Sequence, residues 1–370
     1  MNDPPVDTGL PEGVSASTEV SLDELQLSQR NHGMHLEGLR YDVTPAGMHY
    51  LLIHFDVPEA DEATWTLSVS GLVRHPLELS MTELRNRPSI TMPVTMECAG
   101  NGRARLSPRP ISQPWLTEAI GTAEWTGTPL GPILAQVGIE DGAVELVFRG
   151  DDHGIQGGVE QDYERSLTIE DAMRDEVLLA YAMNGAPLPP QHGFPLRLLV
   201  PGWYGMTSVK WLTAIEAVPE PFRAFQMEAY RVRQQPDDEG EPVTRMAPRA
   251  LLVPPGFPEF MTRSRIVDVG RHILTGRAWS GWGAIERVEV SPDGGATWAD
   301  AVIGEAVSPY AWAPWTFSWN AAEPGTFELC CRATDAAGNT QPLEQPWNLH
   351  GFSNNMVQRV PVEVRTPEVR

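Results

Sequence analysis

One cysteine, Cys98, stands out because of the residues around it. It lies in the string VTMECAGNGR (94–103), where the turn-forming Ala-Gly-Asn-Gly follows it and Arg103 lies five positions further on. Glycine lets a backbone approach a bulky ligand closely, and a nearby guanidinium favours the thiolate, the form that binds a metal ion. The string therefore indicates a metal-binding thiolate. The alternative is a small buried side chain, which is the commoner role of a lone cysteine without a CxxC partner.

Three basic side chains lie near one another in loops rich in glycine and proline. His192 and Arg197 flank the proline-stiffened turn of HGFPLR, and Lys210 follows VPGWYGMTSV at a predicted strand start. Clustered cations with exposed backbone N–H groups can bind a phosphate group. The spacing alone does not distinguish such a site from scattered surface charge.

Short elements must position these residues, and they predict an α+β first domain. Patterns typical of capping boxes predict helix starts at Ser21, Ser80 and Thr168, and GTPLGPILAQVGI predicts a further helix. The string GDDHGIQGG is predicted to be a polar loop. No GxGxxG motif follows a strand, which argues against a Rossmann fold. The predicted strands are 44–58, a pair within 65–79, 144–148, 178–183, 196–201 and 209–218.

The composition changes beyond residue 233. Residues 1–40 are predicted to be an N-terminal arm, 41–233 a catalytic domain, and 234–258, rich in proline and charge, a linker. From 259 to 370, about seven short strands with turns such as PDGG predict an immunoglobulin-like β-sandwich. The adjacent Cys330 and Cys331 point to opposite faces of one strand, so they cannot bind one metal together, and whichever faces inward is expected to pack in the core.

Charge and cysteine content exclude several classes of partner. The net charge of −22 over 370 residues argues against binding to nucleic acid or an anionic membrane. Three cysteines make no disulfide framework, and no apolar run approaches the roughly 20 residues that cross a bilayer. The first residues show no basic or apolar leader. A cytoplasmic protein is expected.

Two strings carry a resemblance to a known family. TMECAGNGR resembles the molybdenum-cysteine segment of the sulfite oxidase family of molybdopterin enzymes, and AYAMNGAPLPPQHGFPLRLLVPGWYGMTSVKW is similar to its pterin-binding segment. The resemblance extends from about residue 44 to 364 and includes the sandwich, which mediates dimerisation in relatives. It implies a molybdenum–molybdopterin cofactor without haem, and it makes Cys98 the ligand to molybdenum.

The resemblance also implies roles for other side chains. Tyr230, in EAYR, would face the substrate, Trp115 would line its pocket, and Arg103 would bind an anionic oxygen. The pyranopterin and its phosphate would be held by His54, Asp152, His192, Arg197, Ser208 and Lys210.

The sequence departs from relatives that oxidise sulfite. Leu52, in LIH, stands where those relatives have the arginine of an RNH motif, and His350, in WNLHG, stands where they have a second arginine. Ile111 lies near the place of a further basic residue. A hydrogen bond to a charged group is worth about 1.5–3 kcal/mol, so these losses weaken the binding of a sulfite dianion. His350 can still carry a charge at lower pH.

The resemblance implies an oxidoreductase that transfers an oxygen atom, oxidising sulfite or a related sulfur compound. Electrons would pass to a separate acceptor such as a cytochrome, and the protein would be a homodimer. A less cationic pocket leaves open a molybdopterin-dependent reductase of a neutral S-oxide or N-oxide. A non-catalytic cofactor carrier is disfavoured, because it needs neither Cys98 nor Tyr230.

Overall fold

A computed structural model describes residues 10–11, 13–17 and 19–367. The positions of the predicted N-terminal arm at 1–9, 12 and 18 lie outside the described residues. The described helices are short, and none is long and apolar enough to cross a membrane. The α-helices are α1 (Leu22–Arg30), α2 (Met81–Arg85), α3 (Leu130–Val137), α4 (Ile169–Ala172) and α5 (Phe225–Ala229).

The three predicted helix starts are confirmed. The Ser21 hydroxyl accepts from the backbone N–H of Glu24, whose carboxylate accepts from the backbone N–H of Ser21 at 3.0 Å. Ser80 and Glu83 form the same reciprocal pair at the start of α2, and Thr168 caps α4. These side chains satisfy N–H groups that have no partner within the first helical turn.

Two predominantly antiparallel sheets form the first domain. One has the order β10-β9-β6-β4, with β11 also pairing with β9, and the other has the order β3-β2-β12-β7-β8. Helix α3 packs its apolar side chains against the second sheet in the main core. The strands are β1 (Val14–Ser15), β2 (Thr66–Gly71), β3 (Leu77–Ser80), β4 (Ile90–Glu97), β5 (Arg109–Pro110), β6 (Ile120–Pro129), β7 (Glu145–Gln156), β8 (Val159–Thr168), β9 (Leu178–Met183), β10 (Ala186–Pro187), β11 (Arg197–Leu199), β12 (Leu212–Val218), β13 (Arg231–Val232) and β14 (Glu241–Pro242).

Two predictions for this domain are wrong. The segment 44–58 is not a strand: it contains the 3₁₀ turn Ala46–Met48 and a single bridge between His32 and Leu51. Its apolar side chains are buried without a strand ladder, because backbone groups bond to the residues around Asn31 instead. The predicted loop GDDHGIQGG belongs mainly to β7, which continues to Gln156 and pairs with β8 across a register shift.

The second domain is a sandwich of two sheets, as predicted. Their orders are β15-β18-β22-β21 and β16-β17-β24-β23-β19-β20, and an apolar core lies between them. Both Cys330 and Cys331 are buried. The strands are β15 (Arg249–Leu252), β16 (Phe257–Pro258), β17 (Arg265–Asp268), β18 (Gly270–Trp279), β19 (Ile285–Ser291), β20 (Ala299–Asp300), β21 (Val302–Ile303), β22 (Ala313–Ala321), β23 (Gly325–Asp335) and β24 (Gln358–Arg365).

Strand β15 lies within the segment 234–258 that the composition predicts to be a linker. It is fully buried and pairs with β18. The structure differs from the prediction here because Ala250 and Leu252 fill the sandwich core, while Leu251 packs between the domains. Four apolar or basic residues flanked by prolines give too short a pattern to be distinguished from a linker.

Candidate functional site

A cavity of about 60 Å³ lies in the first domain, and predicted site residues from distant parts of the chain meet on its wall. Leu52 and Tyr230 line it as well, whereas Arg103 and Trp115 do not. Every residue predicted to hold the cofactor lies on the wall: His54, Cys98, Asp152, His192, Arg197, Ser208 and Lys210.

Cys98 follows the last residue of β4, so the end of a paired strand presents its thiol to the cavity. Its backbone N–H donates to the carbonyl of Ala119 at 2.9 Å, and the residue is 7% exposed. Burial raises the pKa of the Cys98 thiol, and the Arg103 guanidinium opposes this rise. The buried indole N–H of Trp115 also favours the thiolate, although it makes no full hydrogen bond within the described chain. The thiol is therefore placed to become a thiolate once a cation offsets the burial.

Arg103 lies beside the thiol and is fixed by backbone groups. Its Nε donates to the carbonyl of His350 at 2.7 Å and its Nη1 to that of Gln113 at 3.1 Å, and the guanidinium stacks over the Phe352 ring. A Cβ added at Gly100 would lie 2.5 Å from the Arg103 Nη2, so a larger residue there would displace the guanidinium. The positive charge of Arg103 thus favours the Cys98 thiolate, although Arg103 does not line the cavity.

The cations Arg197 and Lys210 form one end of the cavity. Arg197 donates to the carbonyls of His192 and Ser208 at 3.0 Å each, and Lys210 donates to those of Leu52 and Gln191 at 3.0 and 3.1 Å. Burial lowers the pKa of Arg197 to about 10 and, with the Arg197 charge, that of Lys210 to about 7. Two confined cations held by neutral carbonyls attract an anion strongly, because no carboxylate among the described residues pairs with them at hydrogen-bond distance.

Buried polar atoms on the cavity wall lack partners. Asp152 is 3% exposed, and its Oδ1 accepts no hydrogen bond within the described chain. Burial raises the pKa of Asp152 to about 6, against the opposing charge of Lys210. The Nε of Arg197 and the Nε2 of His49 are also unpaired among the described residues. Buried polar groups are nearly always hydrogen-bonded. These atoms therefore fit a ligand that has both donors and acceptors, such as a pyranopterin with its phosphate.

Tyr230 and His54 form the opposite side of the cavity. The Tyr230 hydroxyl shares a 2.8 Å hydrogen bond with the His54 Nε2, and the Tyr230 ring stacks on Phe352. Burial and the nearby Lys210 lower the pKa of His54 to about 3, so its imidazole is neutral at neutral pH.

His350 lies behind this side of the cavity. Burial and the charge of Arg103 lower the pKa of His350 to about 4. The expectation that His350 gains a charge at lower pH therefore holds only below about pH 4. At neutral pH neither Leu52 nor His350 adds a cation to the substrate side.

His49 is a wall residue for which the sequence predicted no role in the site. It is fully buried, its Nδ1 lies 3.0 Å from the carbonyl of Tyr50, and its ring meets His192 edge-on. Burial lowers the pKa of His49 to about 4. No spacing in the sequence marks this residue, because the segment around it forms neither a helix nor a strand. The other wall residues that were not predicted are Tyr50, Leu51, Met96, Tyr163, Gly205 and Met206.

Comparison with known proteins gives the family. The model of the oxidoreductase molybdopterin binding domain matches residues 54–226, and that of the Mo-co oxidoreductase dimerisation domain matches residues 255–365. Together these two domains define a class of molybdopterin-binding oxidoreductases. The chain belongs to the sulfite oxidase family of these enzymes, and its cofactor is molybdenum–molybdopterin.

Individual relatives agree with this assignment. The chain is 35% identical over 346 residues to mitochondrial sulfite oxidase of Rattus norvegicus, covering 87% of this chain and 62% of that protein. It is 33% identical over 355 residues to nitrate reductase [NADH] 1 of Oryza sativa subsp. japonica, covering 88% of this chain and 38% of that protein. It thus spans less than two thirds of either relative.

A solved structure shares the fold. The sulfane dehydrogenase SoxCD from Paracoccus pantotrophus aligns with a TM-score of 0.76 and 24% identity. The alignment covers 100% of this chain and 96% of that chain. The two-domain architecture is therefore shared along the whole chain.

Proposed function

We propose that the chain oxidises sulfite, or a related small sulfur compound, by transfer of an oxygen atom with molybdenum–molybdopterin. The observation that carries this proposal is the single cavity that joins a thiol, two buried cations and a tyrosine hydroxyl. For sulfite the balance is sulfite plus water giving sulfate, two protons and two electrons. A separate acceptor, such as a cytochrome, takes the electrons. The name of the rat relative, sulfite oxidase, supports this substrate.

The cavity residues divide into two groups by what they would hold. Lys210, Arg197 and the Ser208 hydroxyl would bind the cofactor phosphate, and Asp152 and the neutral His192 and His49 would bond to the polar edge of the pterin. The Cys98 thiolate would bind molybdenum. When bound, the cofactor supplies the two-electron and oxygen-atom chemistry.

The substrate side would orient and stabilise the reacting anion. The Tyr230 hydroxyl is held by His54 and can donate a hydrogen bond to a substrate oxygen. Arg103 contributes positive charge beside Cys98 from a position fixed by two carbonyls. Because burial and Lys210 lower its pKa to about 3, His54 is neutral and adds no positive charge beside Tyr230.

A reductase of a neutral S-oxide or N-oxide is the second candidate. It is favoured by Leu52 on the cavity wall and by the low pKa of about 4 of His350, because neither residue adds a cation to the substrate side at neutral pH. A neutral substrate needs fewer cations than a dianion does. The plant relatives are named nitrate reductases, so the reductive direction also occurs among related chains.

Turnover in both directions separates these candidates. Holoprotein should oxidise sulfite with an artificial oxidant, and it should reduce a sulfoxide, an N-oxide or nitrate with an artificial reductant far more slowly. The Tyr230→Phe variant should lose roughly tenfold in kcat/KM for sulfite, which corresponds to one hydrogen bond to a charged group. Efficient reduction without sulfite oxidation would replace the first candidate by the second.

We also propose a homodimer formed through the sandwich domain, which matches the dimerisation domain of the family. Phe260 and Met261 are 80% and 79% exposed on the turn after β16, beside the half-exposed Phe257. A cluster of exposed apolar side chains is typical of an interaction surface. We place the cofactor-binding domain at residues 41–233 and the start of the sandwich at β15.

A further inference from the structure

Glu97, the residue before Cys98, is buried and bound by the second domain. Its Oε1 lies 3.0 Å from the Nε of Arg249 and accepts from the Asn101 side chain at 2.9 Å. Its Oε2 accepts from the Trp279 indole N–H at 2.9 Å. Arg249 and Trp279 face each other across β15 and β18 of the sandwich. One carboxylate oxygen of Glu97 therefore accepts a hydrogen bond from the second domain, and the other lies at ion-pair distance from a buried arginine of that domain.

The turn that follows the thiol is held from the same side. The backbone N–H of Ser353 donates to the carbonyl of Ala99 at 2.9 Å, and the Asn354 side chain donates to that of Gly102 at 2.7 Å. The Arg103 guanidinium donates to the carbonyl of His350, which also belongs to the C-terminal part of the chain. Residues on both sides of Cys98 are thus anchored to the second domain.

The phosphate end of the cavity is built differently. Arg197 and Lys210 bond to carbonyls of the first domain, at residues 52, 191, 192 and 208. The cavity therefore has one end held within the first domain and a thiol whose backbone is held by the sandwich. A buried ion pair resists separation, because breaking it leaves an uncompensated charge away from water.

We propose that Glu97, bound by Arg249 and Trp279, is a positioning residue that orients the Cys98 thiolate toward the cavity. The sandwich domain thereby has a role in the geometry of the active site as well as in dimerisation. This inference rests on the proposed role of Cys98 as the molybdenum ligand.

The test compares Glu97→Gln with a matched control, Glu289→Gln. Glu289 is also buried and pairs with Arg332 at 2.7 Å, but it lies within the sandwich on β19. Oxidised holoprotein of each variant is examined for bound molybdenum and for the thiolate-to-molybdenum charge-transfer absorbance. Glu97→Gln should retain the cofactor, shift the charge-transfer maximum and lose roughly tenfold or more in kcat, since small misplacements of reacting groups cost that much. Glu289→Gln should keep the wild-type spectrum and kcat per molybdenum.

A second variant and a measurement on cofactor-free protein distinguish misplacement of Cys98 from misfolding. Trp279→Phe removes one donor to Glu97 at similar volume and should shift the band in the same direction, by less. In cofactor-free protein, both Glu97 and Trp279 variants should change the alkylation rate of Cys98, and Glu289→Gln should not. An unchanged band and an unchanged alkylation rate in Glu97→Gln, with only lower thermal stability, would overturn the inference. A wild-type holoprotein without any charge-transfer band would instead overturn the proposed function.

Discussion

Leu52 is a side chain of the cavity wall whose replacement should alter the charge met by the substrate. It lies on the cavity wall, and its carbonyl accepts from Lys210. We expect Leu52→Arg to lower the KM for sulfite by about tenfold, because one added charged hydrogen bond contributes about 1.5–3 kcal/mol. Steady-state kinetics with sulfite measure this effect. Leu52→Met is the control for size and should leave the KM unchanged; an unchanged KM in Leu52→Arg would mean that position 52 does not face the substrate.

Lys210 should make anion binding depend on pH. Its pKa is lowered to about 7 by burial and by Arg197, so the free protein loses this cation as the pH rises through 7. Asp152, whose pKa is raised to about 6, gains its negative charge over the lower part of the same range and acts in the same direction. His192, with a pKa of about 2, stays neutral. Binding of sulfate to cofactor-free protein should therefore weaken by up to about tenfold per pH unit above 7.

Calorimetric titration with sulfate between pH 6 and 8.5 measures this dependence, since sulfate keeps its charge over that range. Lys210→Arg keeps a cation at every pH in the range and should show a much flatter profile. An equally steep profile in Lys210→Arg would assign the titration to another group.

Helix α1 is tied to the first domain by one buried ion pair. Both Glu24 carboxylate oxygens accept hydrogen bonds from Arg109, the first residue of β5. Strand β5 pairs with β1. Burial alone would raise the pKa of Glu24, but the bonds from Arg109 and Ser21 outweigh it and hold the pKa below the ordinary 4.5. The pair thus stabilises the fold above pH 4.5, and this stability is lost as the pH falls through the lower pKa of the folded state.

Glu24→Gln should therefore lower the free energy of unfolding by about 3–5 kcal/mol at pH 7, because it leaves Arg109 buried without its partner. Chemical denaturation measures the loss. Glu83→Gln changes the same capping position in α2, where the glutamate is exposed and has no buried ion partner, and it should cost far less. Equal losses in the two variants would show that capping, and not the ion pair, accounts for the effect.

These elements also show what the sequence could predict. The capping boxes at Ser21 and Ser80 are local patterns, and they were predicted correctly because their partners lie three residues away. The segment 44–58 was mistaken for a strand because its apolar run is buried by tertiary packing and not by a strand ladder. Burial without regular hydrogen bonding has no periodic signal in a sequence.

The site itself required the resemblance. Spacing alone left His192, Arg197 and Lys210 undecided between a phosphate site and surface charge, and the fold brings them together on one wall. Glu97 gave no signal, although it lies next to Cys98, because its partners Arg249 and Trp279 are more than 150 residues away along the chain. Such contacts between the two domains form only in the folded protein, so no local sequence pattern predicts them.

The exposed turn after β16 should govern the oligomeric state of the whole molecule. The double variant Phe260→Ser with Met261→Ser removes the most exposed apolar side chains of this turn and should convert a dimer to a monomer. Light scattering after size-exclusion chromatography gives the mass. Ile155→Ser, at a 70% exposed apolar residue on the β7–β8 hairpin of the first domain, is the control and should remain dimeric. A dimer that survives in the double variant would place the interface elsewhere.

The most direct test of the central claim is the response of the oxidised holoprotein to sulfite. Anaerobic protein with its molybdenum content measured is mixed rapidly with sulfite, and the thiolate-to-molybdenum charge-transfer absorbance is followed. We expect the band to bleach within the time of one turnover in the wild type, and Cys98→Ser to lack the band. If sulfite leaves the band unchanged, the cofactor assignment would stand and sulfite would be excluded as the substrate. Fully loaded wild-type protein with no such band would contradict the role of Cys98 itself.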